Sequence, residues 1–592
     1  MHLKENMERL RTKNPSLAEG LQRCSVNSNY KALTSRTGHP TLKVDNYLIH
    51  SLYDPVKEAR EWVKGQLDKI RGKECLCVFG FGLGYHIEAL LEETDSDIIV
   101  FEPDMSLMKS AFTLRGLRGI IDRVRIVSTN TVPFLQGRFS VLRHNPSVKL
   151  NHRYYELVGE RLRLMRLFQK GLRISVVGPI YGGSVPVAEY TVRALKNLGH
   201  HVQYVDNTPL HECFRFIDRI AVENDVRAGL GSQFVRFASS SVLARLESFR
   251  PDLVIALAQA PLNPEHLQRL REAGLRTAFW FVENYRHLTY WKEFFQYYDY
   301  IFVIQKGDFL RGIRETYNKP AHYLPLAALP EFHQPLDLTE EEMSEYGSDL
   351  SFVGAGYKNR RHFFTGLIDY DLKIWGDEWD LNSPLGNFIQ RGGERISPEE
   401  MVKIFNASKI NINLHSSAVH TGVDPFGDFI NPRTFEITAT DSFQLVDMRD
   451  PLREFFEIGR EIETFSSLKE LRKKIDYYLS HPDERRDVAR AGYEKILRAH
   501  TYELRMKEML EFIFEHDFDL PTWAKEELFI DELTDSLRDA PELIEYLRQF
   551  EDKKRIGFDD ILERIQSGKG ELKEVEKIFL FMREVKEQYS KA

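Results

Sequence analysis

The segment "LRISVVGPIYGGSVPVAEYTVRALKNLGHHV", residues 172–202, holds a strand, a loop, a helix and the start of a second strand in that order. The apolar run "LRISVV" reads as a strand. Gly182, Gly183 and Ser184 follow as a flexible loop. Val187, Tyr190, Ala194, Leu195 and Leu198 then recur at helical spacing and make one apolar face. Pro186 lies near the first turn, where its missing N–H costs little, and Gly199 ends the helix before "HVQYV". This order predicts α/β architecture with a parallel sheet. The loop faces the carboxyl ends of the strands, where open α/β sheets bind ligands, so Gly182, Gly183 and Ser184 are expected beside one.

The same alternation extends in both directions. Downstream, "DLVIALA", "RTAFWFV" and "DYIFVI" continue the block, which closes near the proline-rich, acidic "LPLAALPEFHQPLDLTEEEM". A third block opens at "DLSFVGAG" (349–356) and continues through "DLKIW", "KININL" and "FQLVD". Upstream, "ECLCVF" (74–79), "DIIVF" (97–101) and "RVRIV" (123–127) form a first block, joined by a charged helical connector. The expected domains are 1–165, 171–340 and 349–505, with a helical tail over 506–592.

Composition narrows the classes. A chain of 592 residues is too long for one core. A formal charge of −8 argues against general nucleic-acid binding, which needs a basic footprint. Cys24, Cys75, Cys77 and Cys213 are too few for a disulfide framework and lack zinc spacing. No stretch reaches the ~18 apolar residues of a membrane span, and "MHLKENMERLRTKN" has no apolar core for a secretory signal. A cytoplasmic protein without integral membrane association is expected.

Three constellations carry chemistry. In the first block, Gly80, Gly82 and Gly84 of "FGFGLGYHIEALL" link a strand to a helix, and Glu102 ends the next strand. A helix N-terminus and a ribose-accepting carboxylate in that context look like an S-adenosylmethionine loop; packing alone is the other reading. In the second block, "FWFVENYRH" clusters Glu283, Asn284, Arg286 and His287 at a strand end, able to bind an acceptor or supply a base, or simply to pair. The third block is richest. Gly354, Gly356, Lys358, Arg360 and Arg361 suit a diphosphate, since arginine's fork matches its oxygens. Trp375 and Gly376 end a strand where a nucleobase could stack. Asn413, His415, His420, Asp428, Arg433, Thr434 and Glu436 follow within "NINLHSSAVHTGVDPFGDFINPRTFE". The histidines show no regular metal spacing.

From Leu172 to about Arg505 the chain resembles the CgeB-like (spore maturation) glycosyltransferases of the GT-B fold. The matching stretches are "VVGPIYGGS", "FWFVENY", "SFVGAGYKNRR", "ERISPEEMVKIFNASKININLH", "NPRTFEITA" and "HTYELR". The resemblance implies two facing Rossmann-like domains, preceded by a further Rossmann-like domain. It implies a nucleotide-diphosphate sugar, such as a UDP-sugar, on the later domain and an acceptor near the Gly182–Ser184 loop. Related retaining enzymes carry an E-x7-E motif whose second acid binds the donor ribose. Glu436 matches that acid, and Asp428 stands at the first position. Arg361 with Lys358 and Arg360 would neutralise the leaving diphosphate without a metal, while Glu283 and Asp428 complete the expected catalytic set. Relatives usually read Ala-Cys-Gly after the second acid, whereas this chain has Asp441 at the glycine.

"HSLYDPVKEA" (50–59) with "FGFGLGYHIEALL" resembles the N-terminal region of motility-accessory-factor proteins of flagellin glycosylation. This implies a protein acceptor, flagellin, with the first domain for docking or assembly in a bacterial protein-glycosylation system. Two rivals remain open at this level: a methyltransferase acting on a glycan through the Gly80–Gly84 loop, and a non-catalytic sugar- or flagellin-binding scaffold.

Overall fold

A computed structural model describes residues 2–417, 420–424, 426–525, 527–530, 533–534, 537, 540–550, 555–568 and 570–589. The chain divides into two compact units, Met1–Gln169 and Lys170–Ala592.

The first unit opens with two helices and a small antiparallel sheet, β1 (Tyr30–Thr34), β2 (Pro40–Val44) and β3 (Tyr47–Leu48). Its main sheet is parallel: β4 (Cys75–Phe79), β5 (Asp97–Phe101), β6 (Val124–Val127) and β7 (Phe139–Arg143), ordered β6-β5-β4-β7. Every residue of β4 is buried, as a central parallel strand covered on both faces requires. Cys75 and Cys77 sit there as buried free thiols. Sequence periodicity misses β7 and the β1–β3 sheet, whose strands are short, two to five residues each.

The second unit holds two larger parallel sheets. The first lobe contains β8 (Arg173–Val177), β9 (His201–Val205), β10 (Leu253–Leu257), β11 (Arg276–Phe281), β12 (Tyr300–Val303) and β13 (Ala321–Tyr323), ordered β13-β12-β11-β10-β8-β9. The second contains β14 (Ser348–Val353), β15 (Leu372–Trp375), β16 (Ser408–Asn413), β17 (Gln444–Asp447) and β18 (Glu463–Phe465), ordered β15-β14-β16-β17-β18. Both lobes therefore run second-first-third-fourth-fifth from the edge. Each has its switch point between its first and third strands, where a crevice opens at the carboxyl ends. This is the GT-B arrangement.

Two segments cross between the lobes. The first follows β13 and the second precedes helix Tyr502–Glu515. Ala328 and Tyr502 stitch them together: Ala328 N donates to His500 O at 3.1 Å and Tyr502 N to Ala328 O at 2.8 Å. Helix Tyr502–Glu515 packs on helix Ser184–Asn197 of the first lobe.

The tail expected to be helical over 506–592 is mostly helical among its described residues and also holds one short strand pair. β19 (Leu528–Phe529) pairs antiparallel with β20 (Arg555–Ile556). Buried Arg555 reaches Asp252 of the first lobe at 2.6 Å, which anchors the tail below β10. No helix among the described residues is long and apolar enough to cross a membrane.

Candidate functional site

The carboxyl ends of the two large sheets meet. Arg286, just beyond β11, donates twice to Asp428 of the second lobe, at 2.9 and 2.8 Å. Gln305, just beyond β12, donates to the same carboxylate at 2.8 Å. Burial pushes the Asp428 carboxyl up, but these hydrogen bonds outweigh it and hold it below its usual range. Arg395 donates to the carbonyl of Gly182 at 3.1 Å, and Lys306 pairs with Glu454. Arg286 thus pairs across the lobes, not with Glu283.

Glu283 has its own partners. Gln259 Nε2 donates to it at 2.6 Å and the Tyr290 hydroxyl at 3.1 Å. Burial pushes its carboxyl up to about 7 against these two bonds. Gln259 follows β10 at the switch point in a left-handed conformation, φ 63°, a strained geometry of the kind that gathers at functional sites. Gly183 caps helix Ser184–Asn197 and Ser184 is buried at its start. Gln259, Gln305, Tyr290 and Arg395 escape sequence reading; the usable signal for the two glutamines is a polar residue immediately past an apolar strand.

In the second lobe many expected ligand groups face inward. Arg360 is buried, donating to the carbonyls of Leu414 at 3.0 Å and Ala355 at 2.9 Å, and burial lowers it to about 10. It holds the loop after β14 in shape, which corrects the direct diphosphate contact expected of it. Arg361 is exposed but donates to the carbonyls of Gly356 and Glu378. Lys358 is exposed at the start of helix Lys358–Phe364. Trp375 is only 2% exposed and packs in the core with Tyr346; a base has no face of it to stack on. Gly376, at φ 117°, lies so close to the Gly354 backbone that a Cβ would fall 2.8 Å from its carbonyl oxygen, which explains the glycine by packing.

Asn413 and His415 are also structural. Asn413 bonds Asn431, Thr434 and Gln444. Asn431 in turn caps helix Pro432–Ala439 by accepting from Thr434 N at 3.1 Å. His415 Nε2 accepts from Asn431 N at 2.9 Å, and its Nδ1 meets Asp447 at 2.6 Å. Buried Arg449 completes the set on the other Asp447 oxygen. These groups fix the amino end of that helix. On its second turn Glu436, 3% exposed, pairs with Arg433. His420 approaches Asp424 at 3.6 Å.

The glycine loop of the first unit is covered by histidines. Gly80, Gly82 and Gly84 all take positive φ, and a Cβ on Gly82 would lie 2.6 Å from His50 Nε2. Glu102 is fully buried, accepting from Phe81 N at 2.8 Å and Asp104 N at 3.0 Å. It closes the loop instead of facing a ribose, and burial raises it to about 8. His50, His86 and His144 bring ring nitrogens within 4.8 Å of one another. His50 Nε2 is already taken, accepting from Leu83 N, whereas His86 Nε2 meets the Gly80 carbonyl, so it donates and leaves Nδ1 as that ring's acceptor. The His86 and His144 rings stack at 4.2 Å and 5°, so their in-plane lone pairs do not converge.

Residues 360–511 match the family model described as "Glycosyl transferase-like". The chain is 25% identical over 272 residues to the spore protein CgeB of Bacillus subtilis, covering 44% of this chain and 82% of that protein. Among solved structures it is similar to a glycosyltransferase from Rickettsia africae, at 14% identity over 59% of this chain and 100% of that one, with a TM-score of 0.41. It is likewise similar to Anabaena HepE in complex with UDP and glucose, at 11% identity over 58% and 99% of the two chains, with a TM-score of 0.41. Residues 360–511, most of the second lobe, thus match a glycosyl transferase-like domain, and the chain is similar to CgeB over 272 residues.

Proposed function

We propose that residues 170–592 transfer a sugar from a nucleoside diphosphate sugar, held by the second lobe, to an acceptor bound against the first. The observation that carries this is the Arg286–Asp428–Gln305 junction, which joins the carboxyl ends of two sheets of the same strand order. Glu436 accepts from the donor ribose, as the second-acid position implies. Lys358 and Arg361 lend positive charge near the leaving diphosphate, and Arg360 keeps the Gly354–Gly356 loop in shape. Charge stabilisation of a leaving group is worth several kcal/mol, roughly as one oxyanion donor is. Glu283, held at about 7, takes the proton of the acceptor hydroxyl, since an acid–base group works best near the operating pH. Metal-independent transfer and retention at the anomeric carbon rest on the resemblance to retaining relatives. For the acceptor we infer a polypeptide, flagellin being the one implied by residues 50–59 and 79–91, with the first unit as its docking module.

The test is Glu436→Gln, which keeps size and removes the charge. Nucleoside diphosphate binding by calorimetry is expected to weaken about tenfold or more, as for loss of hydrogen bonds to a charged group, with the fold retained. Unchanged affinity would remove Glu436 from the donor site.

A further inference from the structure

Glu436 has one oxygen paired with Arg433. The other, Oε1, lies 3.9 Å from Nε2 of His333, a fully enclosed residue in the first segment that crosses between the lobes. That distance is just beyond a hydrogen bond. The second ring nitrogen fixes the tautomer. Nδ1 accepts from Leu329 N at 3.0 Å, so the proton is on Nε2, the nitrogen on the carboxylate side. Nε2 has no hydrogen-bond partner among the described residues. Burial lowers the imidazole to about 4, against the nearby Glu436 charge, so the ring is neutral and carries that single N–H.

The surroundings favour an interaction made on demand. Tyr190, from the first lobe, stands edge-on to His333 at 4.9 Å, and Tyr502, from the second crossing, lies 5.5 Å from Tyr190. Both rings are enclosed, and neither hydroxyl has a partner among the described residues. His333, Tyr190 and Tyr502 are all buried, and a buried donor without an acceptor is costly. A small movement of the crossing segment toward the helix Pro432–Ala439 would relieve it.

We propose that His333 is a positioning residue for Glu436: its Nε2–H takes Oε1 when a nucleotide arrives, as Arg433 takes the other oxygen, and the carboxylate is fixed for the ribose. A carboxylate offers about four acceptor positions. Two are then used, which leaves one on each oxygen for the two hydroxyls of a cis-diol. Because His333 belongs to a crossing segment, ribose recognition is tied to the junction of the lobes. This rests on the assignment of Glu436 to the donor ribose.

The experiment compares a nucleoside diphosphate (UDP, GDP or ADP, whichever the wild type holds tightest) with its 2′,3′-dideoxy analogue by calorimetry. His333→Asn keeps an acceptor for Leu329 N–H but is too short to reach Glu436. His333→Gln restores a donor of similar reach. The wild type is expected to prefer the ribose diphosphate by about tenfold or more, the scale of hydrogen bonds to a charged group. His333→Asn should lose most of that preference while binding the dideoxy analogue as the wild type does, and His333→Gln should regain it. An equal loss for both ligands would mark a merely structural role and overturn the inference. So would a preference that survives in His333→Asn, or one that His333→Gln fails to restore. A wild type that binds the diphosphate without preference for ribose removes Glu436 from the ribose, and the inference falls with that assignment.

Discussion

The two large sheets share one strand order, yet they use the polar residues at their switch points in opposite ways. In the second lobe Arg360, Asn413, His415, Asp447 and Arg449 are buried and bonded to one another, to neighbouring side chains or to backbone carbonyls. In the first lobe Gln259 is strained at φ 63°, and part-buried Glu283 has its carboxyl pushed up to about 7 by burial. One lobe ties its polar groups into hydrogen bonds, and the other keeps groups whose charge can change. A donor site needs preorganised geometry to bind a diphosphate sugar. A group that accepts a proton needs a pKa near the working pH. The same topology can serve both because loop residues, not strands, carry the chemistry.

The sharpest way to break this contrast is at Asp447. Replacing it with alanine leaves the N–H groups of His415 and Arg449 buried without their acceptor. Breaking a buried pair this way costs about 3–5 kcal/mol. In scanning calorimetry, the Asp447→Ala chain should lower the transition of residues 170–592 and leave that of residues 1–169 in place. The charge partners hold the Asp447 carboxyl well below its ordinary value of 3.8, outweighing burial, which raises it. Its contribution is therefore full above that ordinary value and is lost as pH falls through the depressed one. Two unmoved transitions would show that the network does not carry the lobe.

The first-lobe counterpart is Glu283→Gln, where activity and not stability should move. Loss of a proton-accepting group costs roughly a hundredfold or more in rate. Sugar transfer by the wild type should rise with pH through about 7, and the variant should lose that limb. The stability sign is opposite to that of Asp447. Between 4.5 and about 7 the folded chain keeps a proton that the unfolded chain has released, so stability falls as pH rises through that window. Glu283→Gln should flatten that slope. A variant with full activity and an unchanged pH profile would place the proton acceptor elsewhere.

Much of this fold is legible in sequence because central parallel strands are apolar on both faces: "DIIVF" coincides with β5, and "DLVIALA" contains β10, every residue of which is buried. β13 and β18, three residues each, carry too short a pattern to register. The site was less legible. A polar residue past a strand can turn outward, as Glu283 does in part, or inward, as Asn413 and His415 do, and spacing is the same for both. Arg360 and Arg361 are adjacent in sequence, yet one is buried beneath a loop and the other is exposed. Gln305 and Arg286 gain meaning only through Asp428, more than a hundred residues away. Trp375 reads as a stacking surface because aromatic rings serve both cores and ligands; only its enclosure decides.

The mildest test concerns the turn before β17. Relatives are expected to place glycine where this chain has Asp441, and the structure shows why glycine suits it: Asp441 adopts φ 57°, the left-handed region that disfavours most side chains. Arg490 offers partial compensation by donating to Asp441 at 3.3 Å, but Arg490 is 58% exposed. An exposed pair of this kind is worth little, and aspartate tolerates the left-handed region better than bulkier residues. The balance for Asp441→Gly is relief of backbone strain, set against the greater freedom glycine gives the unfolded chain. A gain of less than about 1 kcal/mol is expected, with donor binding unchanged, because the turn lies at the carboxyl end of helix Pro432–Ala439, away from its capped amino end. Thermal unfolding of the two chains side by side measures it. A clear fall in stability would show that the Arg490 contact, and not backbone geometry, holds this turn, and would add one more surface charge to the hydrogen-bonded side of the comparison.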